Sequence, residues 1–497
     1  MSYTHGIYVQ ENPTQFKAPV EVNSAIQFIV GTAPINLLAN PAGAVNKPIQ
    51  INNFAEAKSK IGYSNDFEKF SICQALDASL RVYNVKPLVV LNVLDPAVHK
   101  TAVVSQLESV SNSQAVIDEE GIMLDDDFVV KNSEGTVTYD LDDDYTVEFN
   151  DAGYVVVKIV SGGAIDPVPA QLSFSFTKLD PSAVTEDEII GAYTEATGVY
   201  TGLENIEQVY PRLGLNPGLI VIPGWSHKPN VGAAMTAKTE SVNGSFKCMA
   251  IKDVDTSSAD GATVYSDAAT WKNTNNYTNK HDIVCWPMVK IGTKKYYFSA
   301  VLAALIADVD YLNDGVPYIS PSNKNFKISA VILDDNSEVY LDQTKANTLN
   351  SNGIVTALNL NGWKSWGNNT GAYPLNSLTV DSVHDPKDRF ISVRRMFDWW
   401  GNTFILRYLA KVDDPINTRL IESLVDSENI RANGYIAKQQ IADAKIEFIL
   451  DENPTSDLLN GIIRFKQYLT PFTPAETIIN TLEFNPEALI TVLGGEA

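Results

Sequence analysis

Two hydrophobic patterns alternate over much of the chain. Continuous apolar runs at residues 25–34 and 87–94 indicate buried strands, and the segment between them, residues 67–83, carries apolar residues at helical spacing. The same order of strand, helix and strand recurs between residues 213 and 312. Buried strands that alternate with helices predict a central α/β layer with a mostly parallel sheet.

A different pattern separates these two halves. Between residues 136 and 179, apolar and polar positions alternate with period two, and Gly, Asn and Asp turns separate the alternating segments. Residues 118–152 contain thirteen Asp or Glu and a single Lys. The acidic triplets at 125–127 and 142–144 lack the ligand spacing and central glycine of an EF-hand loop, so we interpret them as solvated surface. We predict an outer antiparallel β insertion.

The chain after residue 344 contains more aromatic residues and turns. Asp414 as N-cap, Pro415 as first residue and Gly434 as terminator predict one helix. Four strand candidates follow residue 444, the last at 488–494, and the chain also begins with an alternating segment, Gly6–Gln10, that precedes any possible partner. Unpaired strands at the termini suggest partners in another chain.

Together these patterns predict an α/β protein, α+β overall, with a central α/β layer, an antiparallel β insertion and a C-terminal α+β domain with exchanged terminal strands. The predicted parts are an N-terminal arm (1–22), the first part of the central domain (23–111), the insertion (112–180), the second part of the central domain (181–344), an inner C-terminal domain (345–487) and a C-terminal arm (488–497).

The composition argues against several classes of function. The 497 residues carry a formal net charge of -23, which argues against a nucleic-acid or anionic-membrane binder because such proteins need a basic surface. No apolar run is long enough to span a bilayer, and the start of the chain does not resemble a secretory signal. The three scattered cysteines fit neither a disulfide framework nor a metal site, and they suggest a reducing compartment.

The sequence contains no convincing catalytic constellation. Ser226 and His227 follow a strand, but Lys228 stands where a nucleophile elbow needs glycine. The five histidines do not occur at metal-ligand spacing on one predicted element. We therefore expect no enzyme activity, no metal and no cofactor.

One local charge excess stands out in this acidic chain. Residues 387–411 contain six basic and two acidic side chains. The segment is either a long helix with a solvated basic face or an electrostatic docking surface.

Several stretches, in this order, resemble the tail sheath proteins of contractile bacteriophages and related contractile particles. Those stretches are residues 5–12, 24–34, 51–62, 201–225, 301–324, 366–374, 390–400 and 469–478. One departure is His5, where the family usually has proline, and residues 112–180 match least.

The resemblance implies a structural protein that polymerises as a helical sleeve around a tail tube and contracts to drive the tube through a bacterial envelope. It implies a virion tail or bacteriocin-like particle assembled in the host cytoplasm. The implied partners are further copies of the chain, the tail tube protein, and baseplate and tail terminator proteins, with no direct nucleic acid and no membrane insertion. The alternatives are a glycan-binding or other non-contractile structural protein, and an enzyme that uses Ser226.

The resemblance also implies that the terminal arms add strands to a sheet in neighbouring subunits. The strand-exchange residues so implied are Gly6, Ile7, Tyr8, Val9, Gln10, Leu489, Ile490, Thr491 and Val492. The tube-contact candidates are Arg389, Arg394, Arg395, Arg407, Lys411, Arg419 and Arg431.

Overall fold

The protein is described by a computed structural model that covers residues 23–165, 167–374 and 385–492, so the predicted strand Gly6–Gln10 lies outside the described residues. The strands are β1 (Gln27–Gly31), β2 (Ile49–Ile51), β3 (Leu88–Asn92), β4 (Lys100–Ser111), β5 (Gln114–Ile117), β6 (Val129–Asn132), β7 (Tyr145–Phe149), β8 (Val155–Ile159), β9 (Gln171–Leu179), β10 (Tyr193–Thr194), β11 (Val199–Tyr200), β12 (Leu219–Val221), β13 (Met249–Asp253), β14 (Asp282–Cys285), β15 (Met288–Ile291), β16 (Lys294–Tyr296), β17 (Ala330–Ile332), β18 (Ile354–Asn359), β19 (Trp363–Trp366), β20 (Ile441–Glu447) and β21 (Lys466–Pro471). The helices are α1 (Phe54–Ile61), α2 (Ile72–Leu76), α3 (Glu186–Ile190), α4 (Val209–Leu213), α5 (Pro229–Lys238), α6 (Tyr265–Thr274), α7 (Phe298–Tyr311), α8 (Gln343–Asn350), α9 (Pro386–Arg389), α10 (Ile391–Tyr408), α11 (Thr418–Ala437), α12 (Thr455–Leu459) and α13 (Pro486–Val492).

An eight-stranded sheet forms the centre of the molecule. Its strand order is β19-β18-β14-β13-β12-β1-β3-β2, with parallel pairing from β18 through β3 and antiparallel pairing at β2 and β19. Strands β1, β3, β12, β13 and β14 are buried along their whole length, as expected when helices cover both faces of a parallel sheet. The predicted α/β layer is confirmed.

Two strands of this sheet come from beyond residue 344. β18 pairs with β14, and β19 pairs with β18, although the sequence placed both in the C-terminal domain. β18 is an apolar run whose first five residues are buried, which is typical of a strand inside a parallel sheet. The central layer therefore extends past the predicted boundary.

The insertion is a six-stranded antiparallel sheet in the order β6-β9-β4-β5-β8-β7. It has a hydrophobic core of its own, built from residues that include Ile117, Val157, Phe174 and Phe176. Of the four alternating segments predicted as strands, 145–150, 153–160 and 171–179 are confirmed as β7, β8 and β9, whereas 136–141 forms only isolated bridges. None of the described helices is long and apolar enough to cross a bilayer.

The predicted start of the insertion at residue 112 is wrong. β4 already pairs with β9 from Lys100 onward, so twelve residues that the sequence assigned to the central domain belong to this sheet. The register shifts between Val103 and Gln106, around Ser105, which has a positive φ of 57°. Because a bulge interrupts the period of two, β4 does not show the alternation by which strands are recognised.

The C-terminal region packs α10, α11 and the β20–β21 hairpin around Trp399, Trp400 and Tyr435. α11 starts later and ends later than predicted. Asn417, not Asp414, caps it by accepting a hydrogen bond from the Leu420 amide at 2.9 Å. The helix continues through Gly434 because Tyr435 packs edge-on against both tryptophans.

We expect that deleting residues 100–178 and joining His99 to Leu179 with a short glycine linker leaves the central layer folded. The insertion has its own core, and the His99 carbonyl already accepts a hydrogen bond from the Asp180 amide at 2.9 Å. Circular dichroism, thermal melting and size-exclusion chromatography check this. Deleting residues 112–180 is the control, because it leaves β4 without β9 and should cause aggregation. Unfolding of the first variant, or equal behaviour of the two, would contradict the assignment.

Candidate functional site

The C-terminal hairpin is a two-stranded sheet within the described part of the chain. β20 and β21 pair antiparallel, with Lys445 opposite Tyr468 and Ile446 opposite Gln467. One face packs on α11 through Ile441, Ala444 and Ile446, which are buried. Two strands alone are marginal in water, so the hairpin depends on this helix for its stability.

The two edges of the hairpin are not equivalent. The Asn429 side chain of α11 accepts from the Ile446 amide at 3.0 Å and donates to the Ile446 carbonyl at 3.1 Å, so it occupies the outer edge of β20. The amide and carbonyl of Ile446 therefore point away from β21. In an antiparallel pair, the residue directly opposite then points its own amide and carbonyl away from the first strand. This applies to Gln467, opposite Ile446, and to Leu469 two residues further on. These groups form an edge of β21 that no strand among the described residues pairs with; we call it the open edge.

The segment after β21 contradicts two strand predictions. Residues 475–485 contain neither helix nor strand, and Ile478, Leu482 and Phe484 are 86%, 88% and 80% exposed. Residues 488–492, predicted as part of a strand, lie in the short helix α13, which Asn485 caps by accepting from the Glu487 amide at 3.1 Å.

A strand needs a neighbouring strand for its hydrogen bonds, whereas a helix satisfies its own, which explains the helix at Leu489, Ile490, Thr491 and Val492. Leu489 and Val492 are exposed. The subunit thus carries a C-terminal segment rich in apolar side chains that its own body does not bury.

Two predicted tube-contact residues are buried partners of carboxylates. Arg394 donates to Asp398 at 2.8 Å and to Asp388 at 3.0 Å. Arg395 donates to Asp310 on α7 at 3.0 Å. Both arginines lie in the junction between α10 and the central layer. The prediction of surface contacts by these two residues is therefore wrong.

Arg431 is buried as well. It donates to both carboxylate oxygens of Glu428, at 2.7 and 3.1 Å, and its guanidinium lies 3.7 Å from the centre of the Trp400 ring. The Tyr408 hydroxyl also donates to Glu428 at 3.0 Å, which links α10 to α11. Arg431 therefore belongs to the C-terminal core, and its prediction as a tube contact is also wrong.

The remaining candidates are more accessible. Arg389 pairs with Glu476 and packs over Tyr373 and Phe390. Arg407 lies 3.7 Å from Glu428, and Lys411 pairs with Asp414 at 3.2 Å. Arg419 is exposed on the first turn of α11. Arg419 and Lys411 are thus the most available cations of the predicted set.

Comparison with known proteins covers the whole chain. The tail sheath protein of Burkholderia phage BcepMu is 28% identical over 514 residues, which span 99% of both chains. The chain is thus a homologue of phage proteins named tail sheath proteins. The tail sheath protein of Escherichia phage P2 is 26% identical over 309 residues, which span 60% of this chain and 70% of the phage protein. No protein-family model matches the sheath homologue.

Solved structures share the fold of this sheath homologue. A chain of the anti-feeding prophage baseplate aligns with a TM-score of 0.56 at 12% identity, covering 98% of this chain and 100% of that one. A chain of the contracted sheath complex of PVC, an extracellular contractile injection system, aligns with a TM-score of 0.56 at 13% identity, covering 98% and 99%. Both alignments include the insertion and the C-terminal region.

In the sheath homologue, Ser226 has a structural role. Its hydroxyl is buried and donates to Asp253 at 2.7 Å, while the Ser299 hydroxyl donates to the same carboxylate at 2.5 Å. Complete burial raises the pKa of the Asp253 carboxyl. The His227 ring stacks on Tyr297, with 5.5 Å between the ring centres. Within the described ranges, no group of three His, Cys, Asp or Glu side chains is arranged to hold a metal.

Sequence reasoning missed Asn429 and the exposed segment 477–484. Asn429 sits within a regular helical pattern, and its contact with β20 depends on how the helix packs. The exposed segment did carry a signal, since "TIINTLEF" alternates enough to suggest a strand.

We expect Arg431→Glu to destabilise the subunit by about 3–5 kcal/mol, because it removes the buried partner of Glu428 and adds a second carboxylate beside it. Arg419→Glu, a matched change on the exposed face of the same helix, should alter stability by no more than about 0.5 kcal/mol. Urea unfolding of the purified subunit measures both. Equal effects would contradict the assignment of Arg431 to the core.

Proposed function

We propose that this chain is the repeating subunit of a contractile sheath that polymerises around a tail tube and drives it through a bacterial envelope. The observation that carries the proposal is the pairing, in one subunit, of an open strand edge on β21 with an exposed apolar C-terminal segment. Homology over the full length to a phage tail sheath protein supports it.

The β20–β21 hairpin is the proposed acceptor for arms from neighbouring subunits. The β21 edge offers the backbone groups of Gln467 and Leu469, whereas Asn429 already occupies part of the β20 edge. A strand added at β21 would extend the hairpin to three strands and so make it more stable.

The two arms are the proposed donors. An added backbone hydrogen bond contributes about 0.5–1.5 kcal/mol net, while ordering a residue costs about 1–2 kcal/mol. Side-chain burial must therefore supply the difference. In the N-terminal arm, Ile7 and Val9 would share one face of a strand and fill apolar positions on the acceptor.

In the C-terminal arm, residues 477–484 and Leu489–Val492 supply the apolar side chains. α13 is short and exposes Leu489 and Val492, so unwinding it sacrifices little packing. The arm can be helical in the free subunit and extended in the polymer.

The proposed arrangement places the C-terminal region with the arms innermost and the insertion outermost. The acidic segment 118–152 would then face water and salt, where like charges are best screened. Arg419 and Lys411, with Arg389 and Arg407 less accessible, remain the proposed contacts with the tube. Baseplate and tail terminator proteins would bind the ends, in a virion tail or bacteriocin-like particle assembled in the host cytoplasm.

Contraction in this proposal uses energy stored in a metastable assembly and requires neither nucleotide nor metal. The rigid bodies rotate and repack while the exchanged strands stay paired.

We expect the purified chain to form tubes visible by negative-stain electron microscopy. Removing residues 2–11 or residues 477–497 should each give soluble subunits of about monomer mass with unchanged circular dichroism and no tubes, because each deletion removes a donor. A glycan-binding protein or an enzyme would form no tubes in either case. Normal polymerisation of a truncated chain would show that the missing arm is not a connector.

Leu469→Pro tests the acceptor. Proline removes the amide that faces the open edge of β21, so we expect tubes to disappear, whereas Leu469→Ala, which loses the same packing on the C-terminal core but keeps the amide, should still form them. Ala442→Pro is the matched control on the other strand, since the register leaves Ala442 unpaired at a bulge. Loss of tubes in the control alone would place the acceptor edge on β20.

A further inference from the structure

The first described residues after the N-terminal arm are tied to a buried ion pair. The Ser24 hydroxyl lies 2.6 Å from Asp310 Oδ2 and 3.0 Å from the Gly315 carbonyl oxygen. Arg395 Nη1 donates to Asp310 Oδ1 at 3.0 Å, and Arg395 Nη2 donates to the Ser24 carbonyl at 3.2 Å. Arg395 therefore binds both the carboxylate of Asp310 and the main-chain carbonyl of Ser24.

This cluster joins three distant parts of the chain. Ser24 precedes β1, Asp310 lies in the last turn of α7, and Arg395 lies in the first half of α10. The side chains of Arg395 and Asp310 are only 3% and 1% exposed. The root of the arm is thus held against both the central layer and the C-terminal region.

We propose that Ser24, Asp310 and Arg395 form the mechanical anchor of the N-terminal arm. This inference rests on the proposed function, in which the arm pairs with a neighbouring subunit. A force applied along the arm then acts first on residue 24. The anchor transmits this force to α7 and α10 before it acts on β1, a central strand of the main sheet.

The chemistry suits this role. A buried ion pair often adds no more net stability than packed apolar side chains would, so stability alone does not explain its presence here. Charge-assisted hydrogen bonds in a bidentate arrangement are directional and short, and they fix the positions of the atoms they join. The Arg395 guanidinium fixes the last turn of α7 relative to the main chain of residue 24 in this way.

The chain supplies a matched control. Arg394 pairs with Asp398 on the same helix, at 2.8 Å, with side chains that are similarly buried. Neither residue contacts residue 24 by any described hydrogen bond. Replacing this pair removes a buried ion pair of the same kind while leaving the arm root intact.

The test is single-molecule pulling on the full chain. One handle is attached at residue 1 and the other at the exposed turn around Gly135 in the insertion. The anchor variant is Arg395→Met with Asp310→Asn, and the control is Arg394→Met with Asp398→Asn. We expect the wild type and the control to show a first rupture event at the arm root, and the anchor variant to lose it. Loss in both variants, or in neither, would overturn the proposal.

Two further measurements distinguish a local effect at the arm root from general destabilisation of the subunit. Pulling between Gly135 and a handle at the exposed turn around Gly292, between β15 and β16, loads neither the arm nor the C-terminal region, so it should give the same rupture forces in the anchor variant and the control. Ser24→Ala is a milder variant that keeps the ion pair, and it should lower the first rupture force without abolishing the event. An unchanged first rupture in Ser24→Ala, together with an unchanged one in the anchor variant if that folds, would also overturn the proposal.

The assembly assay separates this inference from the proposed function. The anchor variant keeps both arms, so we expect it to form tubes that break into fragments when contraction is triggered, whereas the control tubes contract intact. If the variant tubes also contract intact, the anchor proposal fails while the sheath proposal stands. If the wild-type chain forms no tubes, the sheath proposal fails, and the pulling result still decides whether Arg395 anchors residue 24.

Discussion

Backbone hydrogen bonding is the constraint on which the architecture depends. Every strand of the central sheet has a neighbour, and its end strands β2 and β19 run antiparallel at the margins. The insertion satisfies its strands within its own six-stranded sheet. In the β20–β21 hairpin, the Asn429 side chain occupies one edge, and no described strand pairs with the other edge. The proposed polymerisation would cover both this edge and the exposed apolar segment that follows β21.

Three arginines of the C-terminal region are buried in ion pairs, and one of them reaches the central layer. Arg394, Arg395 and Arg431 pair with Asp398, Asp310 and Glu428, respectively. Part of the basic excess at residues 387–411 is therefore not at the surface, because Arg394 and Arg395 are neutralised inside the protein. Arg395 joins α10 to α7, and the Arg431–Glu428 pair contacts Trp400 and Tyr408 of α10 from α11.

The insertion is a unit with its own core and much of the negative charge. Its first and last strands leave the central layer side by side, where the His99 carbonyl accepts a hydrogen bond from the Asp180 amide. The Asn36 side chain donates to the Ile122 carbonyl at 3.0 Å beside this junction. A module attached in this way can vary without disturbing the central sheet, which fits its weak resemblance to sheath sequences.

The sequence by itself determined the parallel α/β layer and three strands of the insertion, because hydrophobic periodicity depends on residues close in the chain. The order of motifs also determined the family resemblance. Only the tertiary structure decided the membership of β4 and β18, the limits of α11, the helix at 486–492 and the burial of three arginines. Several of these depend on a distant partner: Arg395 meets an aspartate 85 residues away, and β4 meets β9 across a bulge that hides its period. Local patterns report which residues prefer burial, whereas the fold decides which of them find a partner.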